Sequence, residues 1–79
     1  MADQCNVCRG HLKHQKVTYT QFHKGKLVVV ENVPAWVCEQ CGERYYDPDV
    51  AERLLTVIRS GRAPDRMIEV GVYDLDRVA

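Results

Sequence analysis

The sequence predicts a small α+β domain with an N-terminal β-hairpin, one main helix and a C-terminal strand. All cysteines of the 79-residue chain fall in two Cys-x-x-Cys pairs, Cys5/Cys8 and Cys38/Cys41. Two β-rich runs surround a glycine-containing turn between the pairs, and a segment of helical periodicity follows the second pair. A chain of this length buries little core, so a link between its N-terminus and its middle would add needed stability.

The two cysteine pairs predict one structural zinc site. Two Cys-x-x-Cys pairs are typical of tetrahedral sites in which four thiolates surround a Zn²⁺ ion. The predicted metal ligands are Cys5, Cys8, Cys38 and Cys41. A glycine follows each pair, as Gly10 and Gly42, and glycine just after the second sulfur permits a tight turn with positive φ. Backbone N–H groups in such a turn can point at the thiolates.

Two other interpretations of the cysteines and histidines remain as alternatives. A redox pair of the thioredoxin kind lies at a helix N-terminus after a strand. Here the first pair lies near the start of the chain and the second is followed by Gly42, so neither has that setting. His11, His14 and His23 are possible replacement ligands, but two complete cysteine pairs leave them no vacant position.

The hairpin is predicted from two runs of β-branched and aromatic residues. Residues 16–22 form the first run, residues 23–26 the turn, and the second run extends from Leu27 to Val33. Pro34 is expected to end the second strand because proline has no N–H to donate. Trp36 and Tyr45 flank the second cysteine pair and are expected to form an apolar cap over the metal site.

The helix is predicted to begin at Asp47-Pro48 and to stop at Ser60-Gly61. Asp47 suits the N-cap, and Pro48 suits the first helical position, where no hydrogen bond is lost. Gly61 suits the residue after the helix, which often has positive φ. Helical spacing places on one face the apolar residues Val50, Ala51, Leu54, Leu55, Val57 and Ile58.

The end of the chain is predicted as a linker followed by a strand. The predicted division is a zinc-binding domain over residues 1–61 and a C-terminal segment over residues 62–79. Apolar residues alternate from Met67 to Tyr73, which predicts a strand that pairs with the domain's own sheet or with a partner's edge. Exchange of this strand between two copies would produce a homodimer.

The composition and charge of the chain argue against two classes of protein, nucleic-acid-binding proteins and membrane proteins. The chain is 46% hydrophobic and carries 11 basic and 11 acidic residues, for a formal net charge of zero. Nucleic-acid-binding domains usually have a clear basic excess. No apolar run approaches the roughly 20 residues that span a bilayer, and the N-terminus lacks a signal-peptide core. We therefore expect a cytoplasmic protein without membrane association.

The residues predict binding rather than catalysis. A closed four-thiolate zinc site has no open position at which water could be activated, and no nucleophile motif or phosphate-binding loop is present. An alternative is a zinc ribbon that binds nucleic acid through basic residues interleaved with Tyr19 and Phe22, namely Arg9, Lys13, Lys16, Lys24 and Lys26. Equally, an acidic or RNA-mimicking protein could contact the arginines of the helix and linker, namely Arg53, Arg59, Arg62 and Arg66.

Taken together, these motifs resemble the YgiT-type zinc-finger family. The likeness covers residues 5–60: Cys5-x-x-Cys8-x-Gly10, the hairpin with Tyr19 and Gly25, the run VPAWVCEQCGE at residues 33–43, and the helix after it. That family is similar to the N-terminal half of MqsA-type antitoxins. The resemblance implies a structural zinc held by the four cysteines, and no other residue carries a role over from the family.

The resemblance also implies a partner. In MqsA-type antitoxins the zinc-binding half grips a ribonuclease-like toxin, and a C-terminal helix-turn-helix half binds operator DNA. The residues after 61 are too few for a helix-turn-helix. The resemblance therefore implies a stand-alone antitoxin-like module that neutralises a small toxin, without the DNA-binding half.

Overall fold

The computed structural model describes residues 4–78 of the chain. Three strands and one helix follow one another in sequence: β1 (Leu12–His23), β2 (Lys26–Cys38), β3 (Arg44–Tyr45) and α1 (Pro48–Arg59). The strands form one antiparallel sheet in the order β1-β2-β3. The predicted α+β class, with a hairpin before one main helix, is confirmed.

The hairpin is longer than the sequence predicts. β1 and β2 pair from His23 and Lys26 at the turn to Leu12 and Cys38 at the other end. The turn residues Lys24 and Gly25 both have positive φ, 51° and 79°, as a two-residue hairpin loop requires. The strands therefore carry the chain directly into the second cysteine pair.

Pro34 does not end β2, contrary to the prediction. It pairs in register with Lys16, and the strand continues past it for four more residues, 35–38. Proline is tolerated where one edge of its strand has no neighbouring strand, because no hydrogen bond from its nitrogen is then needed. β3 covers β2 only at Trp36 and Val37, so the rest of that edge of β2 is open among the described residues.

A β-bulge interrupts the hairpin near its middle. Val17 pairs with Val33 and Tyr19 pairs with Val30, so β2 has one extra residue at this point. Asn32 absorbs the irregularity with a φ of 58°, in the left-handed region that asparagine tolerates better than most residues. The bulge lies beside α1 and separates the half of the hairpin near the cysteines from the half near the turn.

The helix begins and ends where the sequence predicts. Asp47 occupies the N-cap position and its carbonyl accepts the N–H of Ala51 at 3.0 Å, although its side chain makes no capping bond. Pro48 is the first helical residue, and Gly61 follows the helix with a φ of 67°. The buried face of α1 consists of Val50, Leu54 and Ile58.

Two small apolar clusters stabilise the fold. The first contains Cys5, Leu12 and Cys38, with Trp36 and Tyr45 packed against it as predicted. The second joins the helix to the hairpin around Val33, Val50 and Leu54, and its half-buried members are Val17, Tyr19, Val30 and Tyr46. Each cluster is small, and cores of this size supply little stability on their own.

The predicted C-terminal strand is absent, because none of residues 62–78 lies in a helix or strand. We call residues 67–75 the apolar tail, since they include Met67, Ile68, Val70, Val72, Tyr73 and Leu75, all exposed. Val72 is 90% and Tyr73 is 87% exposed. Alternation of apolar residues makes a segment suitable for a sheet, but a strand forms only where an edge pairs with it, and no described strand does so.

Candidate metal centre

The first cysteine pair lies in a tight turn that its own backbone closes. The N–H of Cys5 donates to the carbonyl of Gly10 at 2.9 Å, and the N–H of Arg9 donates to the carbonyl of Cys5 at 2.9 Å. Arg9 has a φ of 62°. The turn directs the side chains of Cys5 and Cys8 to one point.

The second cysteine pair repeats the same hydrogen bonds. The N–H of Cys38 donates to the carbonyl of Glu43 at 2.8 Å, and that of Gly42 donates to the carbonyl of Cys38 at 3.0 Å. Gly42 has a φ of 80°. The two turns are therefore two copies of one local structure, which we call the first and second knuckle (residues 5–10 and 38–43).

The hairpin brings the knuckles together. Leu12 and Cys38 pair at the end of the β1–β2 ladder, and the N–H of Glu39 donates to the carbonyl of His11 at 3.0 Å. An isolated bridge between Gln4 and His11 holds the segment that enters the first knuckle. Backbone pairing thus determines the distance between the cysteine pairs.

The four sulfur atoms form a compact cluster. The Sγ atoms of Cys5, Cys8, Cys38 and Cys41 all lie within 4.8 Å of one another. Cys8 and Cys38 are 3.3 Å apart, and Cys5 and Cys41 are 3.6 Å apart. A tetrahedron with metal–sulfur bonds of about 2.3 Å has edges of about 3.8 Å, inside this range. The arrangement fits one tetrahedral metal ion.

Access to the cluster is uneven. Cys5 and Cys38 are both 2% exposed, Cys8 is half-buried and Cys41 is exposed. The first cysteine of each knuckle therefore lies inside the first apolar cluster, and Cys41 faces solvent. A metal ion or a thiol reagent would reach the site from the side of Cys41.

Backbone N–H groups point at the sulfurs. The N–H of Val7 donates to Cys5, that of Gly10 to Cys8 and that of Gln40 to Cys38, each at 3.4 Å. The N–H of Cys41 also donates to Cys38 at 3.4 Å. Such bonds favour the thiolate, which is the form that binds metal.

The thiols differ in pKa because their backbone N–H donors, burial and neighbouring sulfurs differ. The N–H of Cys8 is the main cause that lowers the pKa of Cys5, from 9.0 to about 6, and the Tyr45 hydroxyl adds to it. The N–H of Glu43 lowers the pKa of Cys41, but its contact with Cys8, desolvation and the other sulfurs outweigh this and raise it to about 12. One thiolate therefore forms easily and four together do not, unless a cation compensates their charge.

Tyr45 supports the cluster through a polar contact that the sequence did not reveal. Its hydroxyl lies 3.5 Å from the Sγ of Cys5 and accepts the N–H of Asn6 at 3.1 Å. The bond to Cys5 is the main cause that raises the pKa of Tyr45, which keeps the hydroxyl protonated and able to donate. Tyr45 was predicted only as an apolar cap; its place four residues after Cys41 was the available signal.

Gly10 has a steric role that differs from the one predicted for it. A Cβ atom at this position would lie 2.8 Å from the Sγ of Cys38 and 3.2 Å from that of Cys8. It would also lie 2.8 Å from the Cβ of Gln40. Gly10 is needed because the two knuckles approach each other there, and the residue with positive φ in the first knuckle is Arg9 instead.

The histidines lie outside the cluster. The group of side chains within metal-binding distance in residues 4–78 contains only cysteines, so His11, His14 and His23 are not part of it. The ring of His14 packs against Trp36, with ring centroids 4.7 Å apart. The Nε1 of Trp36 is buried and has no hydrogen-bond partner among the described residues.

Comparison with models of known protein families, with curated proteins and with solved structures gave no match. The described part of the chain has no helix long and apolar enough to cross a membrane. Among the described residues, the four-cysteine cluster is the group of side chains that could hold a metal ion.

Proposed function

We propose that this chain is a non-enzymatic binding protein in which one structural Zn²⁺ ion, held by Cys5, Cys8, Cys38 and Cys41, organises a surface for a protein partner. All-thiolate tetrahedral sites formed by two Cys-x-x-Cys pairs favour zinc. Four protein ligands leave no open coordination position, so the ion would stabilise the fold rather than activate water. Free thiols of this kind suit a reducing, cytoplasmic compartment.

The observation that carries the proposal is the apolar tail. Six of the nine residues 67–75 are large and apolar, and all six are exposed, which makes this segment the longest run of exposed apolar side chains among the described residues. Exposed apolar segments of this size mark interaction sites. An extended segment can add to the edge of a partner's sheet, where its backbone supplies hydrogen bonds and alternate side chains supply specificity.

We propose that the partner is a small ribonuclease-like toxin, which the chain neutralises by covering its active surface. The motif likeness of residues 5–60 to YgiT-type zinc fingers and to MqsA-type antitoxins supports this choice. The arginines add to it: Arg62 pairs with Asp65 and Arg66 with Glu31, whereas Arg53 and Arg59 form no ion pair among the described residues. Exposed guanidinium groups without an ion-pair partner suit the polar rim of an interface.

Co-expression with the protein encoded by the neighbouring reading frame tests the proposal. We expect the two products to co-purify and the neighbour alone to arrest growth. Val72→Glu in the apolar tail should abolish co-purification, because it buries a charge in the interface. Leu55→Glu, on an exposed position of α1, is the matched control and should retain binding. A harmless neighbour that does not co-purify would refute the toxin proposal.

The hairpin turn favours a second candidate function, a zinc ribbon that binds nucleic acid. Phe22 is exposed at the end of β1, and Lys24 and Lys26 lie beside it. An exposed aromatic ring among cations can stack on a base while the cations contact phosphates. Binding to single-stranded RNA that weakens steeply with salt, and that Phe22→Ser removes, would favour this function. Binding that neither salt nor this variant changes would exclude the turn as its site.

A further inference from the structure

A groove runs between α1 and the bulged part of β2. Its floor is apolar and consists of Val30, Val33, Pro34, Val50, Leu54 and Val57. Val57 is 40% exposed there, although its neighbours Leu54 and Val50 are buried. The β2 residues in its lining lie outside Trp36 and Val37, the part of β2 that pairs with β3. The groove therefore offers an apolar surface that no described strand covers.

The charges around the groove are opposite to those of the apolar tail. Lys16 and Arg53 lie in the wall of the groove. Glu31 supplies the carboxylate in the lining of the groove, and this carboxylate is already paired with Arg66. The apolar tail contains two carboxylates, Glu69 and Asp74, and no lysine or arginine. Asp49 and Glu52 belong to a neighbouring depression along α1 and do not line the groove.

The ion pair between Arg66 and Glu31 places the start of the tail at the rim of the groove. No residue of the tail lines the groove, the tail's large apolar side chains are at least half exposed, and none of residues 62–78 forms a strand. One chain thus carries an apolar groove and, next to it, an apolar segment that does not fill it.

We propose that the groove binds the apolar tail of a second copy of this chain, and that the exchange is reciprocal. Each copy supplies one tail and one groove, so a twofold axis closes the assembly after two molecules. Ile68, Val70 and Val72 lie on one side of the extended tail and face the apolar floor. Glu69 lies on the other side, within reach of Arg53 at the wall. The dimer has two tail–groove contacts. They reinforce each other, because formation of the first contact makes formation of the second intramolecular.

This dimer uses the same tail as the proposed function, so a toxin that binds the tail would compete with dimer formation. The full-length zinc protein without any toxin is the appropriate sample. Sedimentation velocity over a concentration series should show a concentration-dependent dimer for the wild type. Val57→Glu should weaken dimerisation by at least about tenfold, because it introduces a charge into the groove floor. Leu55→Glu is the matched control, since Leu55 is 44% exposed on the same helix and does not line the groove.

A mixing experiment identifies the exchange itself. Val57→Glu has an intact tail and a damaged groove, and Val72→Glu has the reverse. Each variant alone should be monomeric, while their equimolar mixture should form a heterodimer through the one intact tail–groove contact. Failure of the mixture to associate would overturn the proposal, as would a wild type that stays monomeric or a Val57→Glu variant that dimerises normally.

Charge reversal supplies a test that does not disturb the apolar floor. Arg53→Glu should weaken the dimer, and Arg53→Glu combined with Glu69→Arg should restore it. No restoration would show that these residues do not meet. Toxin binding is measured separately: if Val57→Glu still captures the toxin while no variant changes the oligomeric state, the dimer is wrong and the proposed function stands.

Discussion

Arg9 and Gly42 occupy equivalent positions in the two knuckles. Each follows the first cysteine of its pair by four residues and donates its N–H to that cysteine's carbonyl. Their φ angles are 62° and 80°, both in the left-handed region. The first knuckle thus places an arginine where the second has the glycine that this conformation favours, and its own glycine comes one residue later for a steric reason.

Arg9→Gly should stabilise the zinc-loaded protein. The left-handed conformation costs a residue with a Cβ about 1–2 kcal/mol, and the greater freedom of glycine in the unfolded chain offsets about 0.5–1 kcal/mol of this gain. We expect a net gain of about 0.5–1 kcal/mol, which raises the thermal midpoint by several degrees. Gly42→Ala is the reciprocal control and should lower it because of the left-handed φ of 80°; a Cβ there meets no atom within 4 Å, so no steric clash adds to the backbone effect. A lower midpoint for Arg9→Gly would show that the arginine side chain stabilises the knuckle.

Gly10→Ala should damage the metal site directly. Its Cβ would lie 2.8 Å from the Sγ of Cys38, so the knuckles would have to move apart. We expect zinc affinity, measured by competition with a chromophoric chelator, to fall at least about tenfold. Gly71→Ala is the control, because its Cβ would meet only ordinary contacts with Tyr73. Unchanged affinity in Gly10→Ala would mean that the knuckles approach less closely than described.

Tyr45→Phe isolates the hydroxyl contact with Cys5. The ring can still pack against the first apolar cluster, but the bonds to the Cys5 sulfur and from the Asn6 N–H are lost. Loss of such an outer contact typically lowers metal affinity about 10–100-fold. Tyr46→Phe is the matched control, because Tyr46 packs edge-on against Tyr19 in the other cluster. Equal affinities for the two variants would show that the hydroxyl does not support the site.

Local signals explain which parts of the fold the sequence predicts well. Asp47-Pro48 and Gly61 act on their own backbone, so the helix ends are as predicted. The extension of β2 past Pro34 depends on which edge of the strand is unpaired, and the contact of Tyr45 with Cys5 depends on how β3 lies beside β2. These are tertiary relationships, which no pattern within one segment contains.

The apolar tail shows the same limit of sequence-based prediction, because here a predicted strand does not form. Residues 67–73 have the alternation of a strand, yet they have no strand structure in the isolated chain. Alternation reports that a segment can be buried on one side, and it does not say which surface buries it. The cysteine cluster was predictable because two Cys-x-x-Cys pairs are typical of metal sites, whereas the steric role of Gly10 appears only once the knuckles are placed together.

Removal of zinc should abolish the tertiary structure. Structural zinc sites contribute on the order of 10–16 kcal/mol at neutral pH, more than two small apolar clusters can replace. Trp36 is the only tryptophan and packs against the cluster that contains Cys5 and Cys38, so its near-ultraviolet signal reports on the site. We expect excess chelator to eliminate that signal and re-added zinc to restore it. A native signal in protein shown to be free of zinc would contradict a structural role for the metal.

Acid should release the metal by protonating the thiolates, of which Cys5 has the lowered pKa. The N–H of Cys8, with the Tyr45 hydroxyl, lowers the pKa of Cys5 to about 6, so this thiol keeps its charge to low pH. The pKa of Cys41, by contrast, is raised to about 12. The contribution of Cys5 to stability is thus fully present above its unfolded value of 9.0 and is lost as the pH falls through about 6. Protons compete with zinc for every thiolate. We therefore expect zinc release, measured with an indicator dye, as the pH falls below about 6, together with loss of the Trp36 signal.

Tyr45→Phe should shift zinc release to higher pH, since the hydroxyl no longer lowers the pKa of Cys5, while Tyr46→Phe should not. Full retention of zinc at about pH 3 would contradict a thiolate site.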